Sequence, residues 1–256
     1  MIVRVSNYID AYSVRARYAN DLRLLAGRGK SFDVTEFVNR NILREVELSP
    51  EDELIDIGCG DACLLKMAKA MGLTRMYGLT ASAEEARRLE HLELNIQQGV
   101  TDSLPLPDSC GSVVICSCVL LIVPRARIAA SLGEIARVAK PGARVFIGEI
   151  PKKPELADVP RHRTVTGMLF YLLRTHGIRT FAGKIRMIIL QSLRGEPIIL
   201  NSAPVIEFYA EPEEFVQMAA DCGLKLERYY PHRDLDEAGN VRVLNNRMDY
   251  LFRREP

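Results

Sequence analysis

Leu54-Ile55-Asp56-Ile57-Gly58-Cys59-Gly60-Asp61-Ala62 decides how this chain is read. An apolar run leads into two glycines one residue apart, and a helical pattern follows at once. A strand that turns this tightly into a helix brings backbone N–H groups up to a ligand, and a Cβ at either glycine would block the turn or the ligand. Dinucleotide sites use the same spacing, but their fuller pattern fails here. With Gly58 and Gly60 as the first two glycines, the third position falls on Cys63. The next strand, in Tyr77-Gly78-Leu79-Thr80-Ala81-Ser82, ends on Thr80 rather than on an acid.

Outward from this turn, strands and helices alternate. The spacing predicts strands over Glu53–Ile57, Arg75–Leu79, Glu93–Gln98, Ser112–Ser117 and Ala143–Ile150, and helices over Asp61–Met71, Ala83–Leu92 and Arg125–Ala139. Ser82 is placed to cap the second of these helices, and Pro141-Gly142 to stop the third. Such alternation implies an α/β fold with a parallel sheet covered on both faces, whose ligands bind beyond the carboxyl ends of the strands. Residues 8–48 read as helical, interrupted at Gly27-Arg28-Gly29. Between 152 and 210 the alternation breaks into two helices, Val165–Thr175 and Ala182–Leu193, and an extended stretch, Pro197–Phe208. It then resumes with helix Pro212–Cys222, strand Leu224–Tyr230, a turn at 237–240 and a last strand, Arg247–Phe252.

Composition excludes several classes. With 34 basic and 33 acidic residues in 256, the overall charge points to no nucleic acid. The six cysteines lack paired zinc spacing and sit in apolar patterns, so buried reduced thiols in a cytoplasmic protein, with no metal, are expected. Ile2-Val3-Arg4-Val5 runs directly into polar sequence, so no leader is expected, and no apolar run approaches the ~20 residues that span a bilayer. Residues 152–194 are locally charged, with nine basic side chains against Glu155 and Asp158, interleaved with apolar ones such as Leu169, Phe170, Ile188 and Ile189. Basic amphipathic helices can cover an anionic substrate or lie on an anionic membrane; the plainer alternative is a solvated basic face. No aromatic series accompanies the cations, which argues against nucleic acid.

Four segments in order resemble the class I S-adenosylmethionine-dependent methyltransferases, in the type 11 and cyclopropane-synthase-like branch. They are Asp56–Ala62, with Ala62 where a third glycine is usual; Gly78-Leu79-Thr80-Ala81-Ser82; Asp102-Ser103-Leu104-Pro105-Leu106-Pro107-Asp108; and Glu134–Ala143 with its Pro141-Gly142 turn. The resemblance covers residues 50–150 well and the final strands loosely. It implies a Rossmann-like doubly wound sheet of seven strands, parallel except for the last, with a helical insertion after the fifth. It divides the chain into an N-terminal helical cap (1–50) and a cofactor domain (51–256), with 152–210 as a substrate lid. The implied cofactor is S-adenosyl-L-methionine, held by Asp56, Gly58, Cys59, Gly60, Thr80, Ala81, Asp102, Ser103 and Cys116. Asp102 would accept from the adenine amino group and the Ser103 N–H would donate to the ring. Thr80 replaces the usual ribose-binding acid, and Glu85, one helical turn on, could supply that carboxylate; as a first-turn acid it could equally serve only the helix dipole.

Methyl transfer needs alignment above all, plus a base where the nucleophile must lose a proton. His162, after the fifth strand, and His232, in Tyr229-Tyr230-Pro231-His232-Arg233-Asp234, are the expected catalytic residues, with His176 and Glu149 as further candidates and His91 set aside. The expected activity is methylation of a small molecule, on oxygen, in an anionic sugar, glycan precursor or lipid-linked compound. The alternatives are carbon methylation of a lipid or quinone-like acceptor, with peripheral contact to an anionic membrane, and a non-catalytic cofactor-binding partner subunit.

Overall fold

The computed structural model describes residues 2–5, 7–18, 32–152, 165–195, 198–201, 206–236 and 238–256. The decisive strand, β2 in chain order, spans Glu53–Ile57 and is buried from Leu54 onward. Before it come β1 (Ile2–Val5), α1 (Tyr8–Tyr18) and α2 (Phe32–Glu45). After it come α3 (Cys63–Ala70), β3 (Arg75–Thr80), α4 (Ala83–Leu89), β4 (Ile96–Gln98), β5 (Gly111–Ser117), α5 (Ile128–Val138) and β6 (Ala139–Pro151). The chain closes with α6 (Val165–Leu193), β7 (Ile198–Asn201), α7 (Pro212–Ala220), β8 (Leu224–Leu235) and β9 (Val241–Arg254).

The main sheet has seven strands in the order β4-β3-β2-β5-β6-β9-β8. All neighbours are parallel except β9, which runs antiparallel to both β6 and β8. This is the expected Rossmann-like, doubly wound α/β sheet. Strand β2 sends Ile55 and Ile57 to one face and Leu54 to the other, and β5 likewise divides Val114 and Cys116 from Val113 and Ile115. The first face is covered by α5 and α7 through Ile128, Leu132, Ile135 and Phe215. The second is covered by α2 and α3 through Val38, Ile42, Leu64 and Leu65. Strands buried on both sides carry apolar runs, as β5 does over Val113–Cys116; in β2 the run is broken only by Asp56. The strand order reverses between β2 and β5, so the crevice for a ligand lies at their carboxyl ends.

Several boundaries differ from expectation, each for a local reason. The third strand begins at Ile96 rather than Glu93, because a 3-10 turn over Glu90–Leu92 ends on Glu93 in the left-handed region. Pro141-Gly142 does not separate α5 from a strand. It forms an irregularity inside β6, where pairing to β5 shifts between Gly111 and Val113 and Gly142 takes φ 78°. The two helices expected after residue 165 are both present within α6 and meet at Gly177, whose φ 77° and ψ 176° no helix accommodates, so the break falls at 177 and the helical stretches run closer to it than expected. Strands β8 and β9 extend as a hairpin well beyond Tyr230 and before Arg247. Strand β1 was not expected at all; it pairs in parallel with β7, joining the beginning of the chain to the segment after α6.

Candidate functional site

The β2–α3 turn uses its glycines as the sequence suggests. Gly58 and Gly60 adopt φ 79° and 54°, and an added Cβ at Gly58 would overlap the Val119 side chain. Ala62, in the position of a third glycine, also stands in the left-handed region at φ 60° and is fully buried. The amides of Gly58 and Cys59 do not face a ligand, however. Both donate to the Leu79 carbonyl (2.8 and 2.9 Å), which ties the turn to the end of β3.

A cavity opens at the carboxyl ends of β2, β3 and β5. Asp56, Gly58, Cys59, Gly60, Thr80 and Ala81 line it together with Glu85, as do Gly99–Thr101 and Ser117–Val119. Tyr8 and Tyr12 of α1 and Thr35 and Asn39 of α2 complete the wall. No sequence pattern near the glycine turn could announce these four, because they arrive through long-range packing. Three expected residues do not line the cavity. Both Asp102 carboxylate oxygens accept from Arg127 at the head of α5. The Ser103 N–H donates to the Val100 carbonyl (3.0 Å). Cys116 is fully buried opposite Ile57, burial raises its thiol pKa, and the next residues, Ser117 and Cys118, reach the cavity instead.

Glu85 dominates the polar chemistry. Ser82 caps α4 by accepting from the Glu85 N–H (3.2 Å), which fixes Glu85 in the first turn, and the Thr80 hydroxyl donates to Glu85 Oε2. The side chain is 2% exposed, and burial, aided by the nearby Asp61 charge, pushes its carboxyl up to about 7 despite the Thr80 bond. Burial also raises Tyr12, to about 12.

Among the described residues, four buried side-chain polar atoms have no partner: Tyr8 Oη, Asp61 Oδ2, Glu85 Oε1 and Tyr250 Oη. Three of the four residues line this one cavity. Leaving a buried acceptor unpaired is costly, so the cavity is built for a ligand that brings hydrogen-bond donors to two carboxylates. A ribose diol and an ammonium group are such donors, and S-adenosylmethionine carries both.

A second constellation lies at the same edge of the sheet, on β6, β8 and β9. His232 is 2% exposed, and its Nδ1 stands 2.9 Å from Asp249 Oδ2. Asp249 Oδ1 accepts from the Glu149 N–H (2.8 Å), and Glu149 Oε2 lies 3.9 Å from His232 Nε2 and 3.1 Å from Arg247 Nη1. Glu149 holds φ 64°, a strained conformation for a glutamate. Gly148 lies between Asp249 of this cluster and Ser117 of the cavity lining, while His232 and Asp249 themselves line a separate cavity with Phe37, Val38 and Tyr230. A Cβ on Gly148 would come within 2.8 Å of Ser117 Oγ, which belongs to the cavity lining, and within 3.2 Å of Asp249 Oδ1. His162 lies outside the described residues, and His176 precedes the Gly177 kink on α6. His91 is exposed, with Nδ1 2.9 Å from the Arg88 carbonyl.

Residues 55–147 match the family described as methyltransferase domain. Solved structures share the fold at low identity. A chain of the Haloferax volcanii complex between the Trm112 methyltransferase activator and a methyltransferase aligns with a TM-score of 0.62 at 15% identity, over 97% of this chain and 96% of that one. An S-adenosylmethionine-dependent methyltransferase from Methanosarcina mazei aligns at 0.56 and 16% identity, over 84% and 97%. One from Thermotoga maritima aligns at 0.56 and 13% identity, over 97% and 100%. The matched domain starts inside β2 and ends inside β6, so it takes in the glycine turn, Glu85 and the β5 edge. The family match thus marks residues 55–147 as a methyltransferase domain, and the chain as a whole shares the fold of these solved methyltransferase structures.

Proposed function

We propose that the enzyme methylates a hydroxyl of a small anionic acceptor, and that His232 takes the proton the hydroxyl loses. S-adenosylmethionine, when bound, supplies a methyl group already activated on a sulfonium. The chain's own part is to hold, align and deprotonate. In this reading Glu85 takes the ribose hydroxyls with Thr80 as its support, Asp61 or Asp56 faces the ammonium, and Tyr8 and Tyr12 close the cavity. Asp249 keeps the His232 proton on Nδ1, which makes Nε2 the basic nitrogen. The observation that supports the proposal is the buried Asp249–His232–Glu149 cluster, whose Asp249 stands across Gly148 from Ser117 of the cavity wall. A cluster this costly to bury is spent on packing only where no chemistry needs it. Lys152 and Arg247, adjacent across β6 and β9, favour an acceptor with a phosphate or carboxylate.

Carbon methylation of a lipid or quinone-like acceptor is the second reading, favoured by the apolar side chains that α6 exposes. A non-catalytic cofactor-binding subunit would bind S-adenosylmethionine and turn nothing over. Methyl transfer from labelled S-adenosylmethionine to phosphorylated and carboxylated alcohols separates the three. His232→Gln should lower kcat by roughly 10²–10⁴ while cofactor affinity holds. A folded His232→Gln enzyme with unchanged kcat would remove His232 from the chemistry.

A further inference from the structure

Helix α6 has the composition of a surface that something covers. Among the described residues eleven large hydrophobic side chains are exposed, and six of them, Phe170, Leu173, Ile178, Ile189, Leu190 and Leu193, belong to this helix. Phe170 (66%), Ile178 (73%) and Leu193 (78%) are among the most exposed. The chain as a whole is nearly neutral at +1, yet residues 165–195 carry Arg174, Arg179, Lys184, Arg186 and Arg194 and no acid. The two kinds of side chain share faces. Phe170, Leu173 and Arg174 recur at helical spacing before the Gly177 kink, and Arg186, Ile189, Leu190 and Leu193 after it, all exposed.

We infer that α6 is a docking surface for an anionic lipid bilayer, on which it lies in the interface rather than crossing it. No helix among the described residues is long and apolar enough to cross a membrane. Apolar side chains set among cations, with no acid between them, match the boundary between acyl chains and anionic headgroups, where each kind finds its own environment. A second copy of this chain would cover the apolar groups but set five cations against five. Nucleic acid would neutralise the cations and leave the apolar groups in water. The position suits an enzyme that works at such a surface. Helix α6 packs on β7, β7 pairs with β1, and α1, which touches both, contributes Tyr8 and Tyr12 to the cofactor cavity. The inference concerns where the enzyme works and holds for an oxygen or a carbon acceptor alike.

Co-sedimentation with phosphatidylcholine vesicles, with and without phosphatidylserine, tests it directly. The full chain should pellet with the phosphatidylserine vesicles and be released as salt rises. Reversing two charges (Arg186→Glu with Arg194→Glu) should lower the partition by about tenfold or more. Ile189→Ser with Leu193→Ser should lower it at every salt concentration. Calorimetric affinity for S-adenosylmethionine, expected unchanged in both variants, shows that they fold. Equal pelleting with both vesicle types, no pelleting with either, or unaltered binding by both folded variants would each overturn the inference. So would a dimer in sedimentation velocity that Ile189→Ser with Leu193→Ser dissolves, since the apolar face would then belong to a second copy.

Discussion

In the proposed reading, Glu85 couples cofactor binding to pH. Its carboxyl titrates near 7 in the folded protein against an ordinary 4.5, so between these values the folded state holds a proton that the unfolded state has released. The ligand-free protein should therefore lose stability as pH rises from about 4.5 to about 7, by about 3 kcal/mol at most. Donors on the cofactor reverse the preference, because hydroxyls donating to a carboxylate favour its ionised form. S-adenosylmethionine affinity should rise with pH up to about 7 and level off above it, as titration calorimetry across that range would register. Glu85→Gln should weaken binding by about tenfold or more and flatten the pH dependence, since the amide cannot form charge-assisted bonds. Gly148 is the other critical single position. Its missing side chain separates Ser117 from Asp249, and a Cβ there would also lie 2.6 Å from the Phe146 ring. Gly148→Ala should cost about 1–3 kcal/mol of stability in chemical denaturation and displace the His232 cluster from the cavity.

At the scale of elements, one side chain of α5 holds the turn that leads into β5. Arg137 donates to the carbonyls of Leu104 (3.0 Å) and Leu106 (2.8 Å) and pairs with Glu134 and Asp108. Glu134 in turn accepts from the Leu104 N–H (2.7 Å). Arg137→Ala should cost about 2–3 kcal/mol, because two partly buried carbonyls lose a charged donor, and amide exchange in residues 101–108 should quicken first. The same bonds explain why Glu134–Ala143 and Asp102–Asp108 were legible together in the sequence, as two halves of one junction. Strands β2, β3, β5 and β6 were legible because buried parallel strands are rich in apolar residues, as Val113–Cys116 of β5 and Val145–Ile147 of β6 are. The β8–β9 extension was not, since its β9 side is exposed at Val241, Arg242 and Val243 and the buried positions on its β8 side are the polar His232 and Asp234. β1 and β7 are four residues each and lie far apart in the sequence, so their pairing has no local signature. The places of the glycine turn, Thr80 and Glu85 along the cavity were legible because they follow strand ends. The pairing of Asp102 with Arg127 could not be read, because Arg127 lies outside the motif.

At the scale of the whole molecule, the cavity proposed for the cofactor is closed by parts that belong to different layers. The floor comes from the strand ends, one wall from α4, and the cover from α1, which the sheet does not itself hold. Helix α1 contacts α4, β1 and β7, and Arg88 of α4 donates to the Ala16 carbonyl at its far end. Only two of its residues, Ala11 and Ala16, are among the buried hydrophobics, so its own burial stabilises it little. Tyr8 and Tyr12 meet the cavity instead, and the Tyr8 hydroxyl is buried without a partner. Ligand binding should thus fasten α1 to the sheet and raise global stability in one step. At a concentration about 100 times its Kd, S-adenosylmethionine adds about 2.7 kcal/mol, which for a chain of this size raises Tm by about 5–10 °C. Amide exchange within Tyr8–Tyr18 should slow by more than exchange in β2 or β5, whose amides already open only with the whole fold. In Glu85→Gln, the same ligand concentration should produce a smaller Tm shift and leave α1 less protected. If the Tm rises while α1 exchanges as before, the cofactor binds without engaging Tyr8 and Tyr12, and the cavity is closed by something other than this helix.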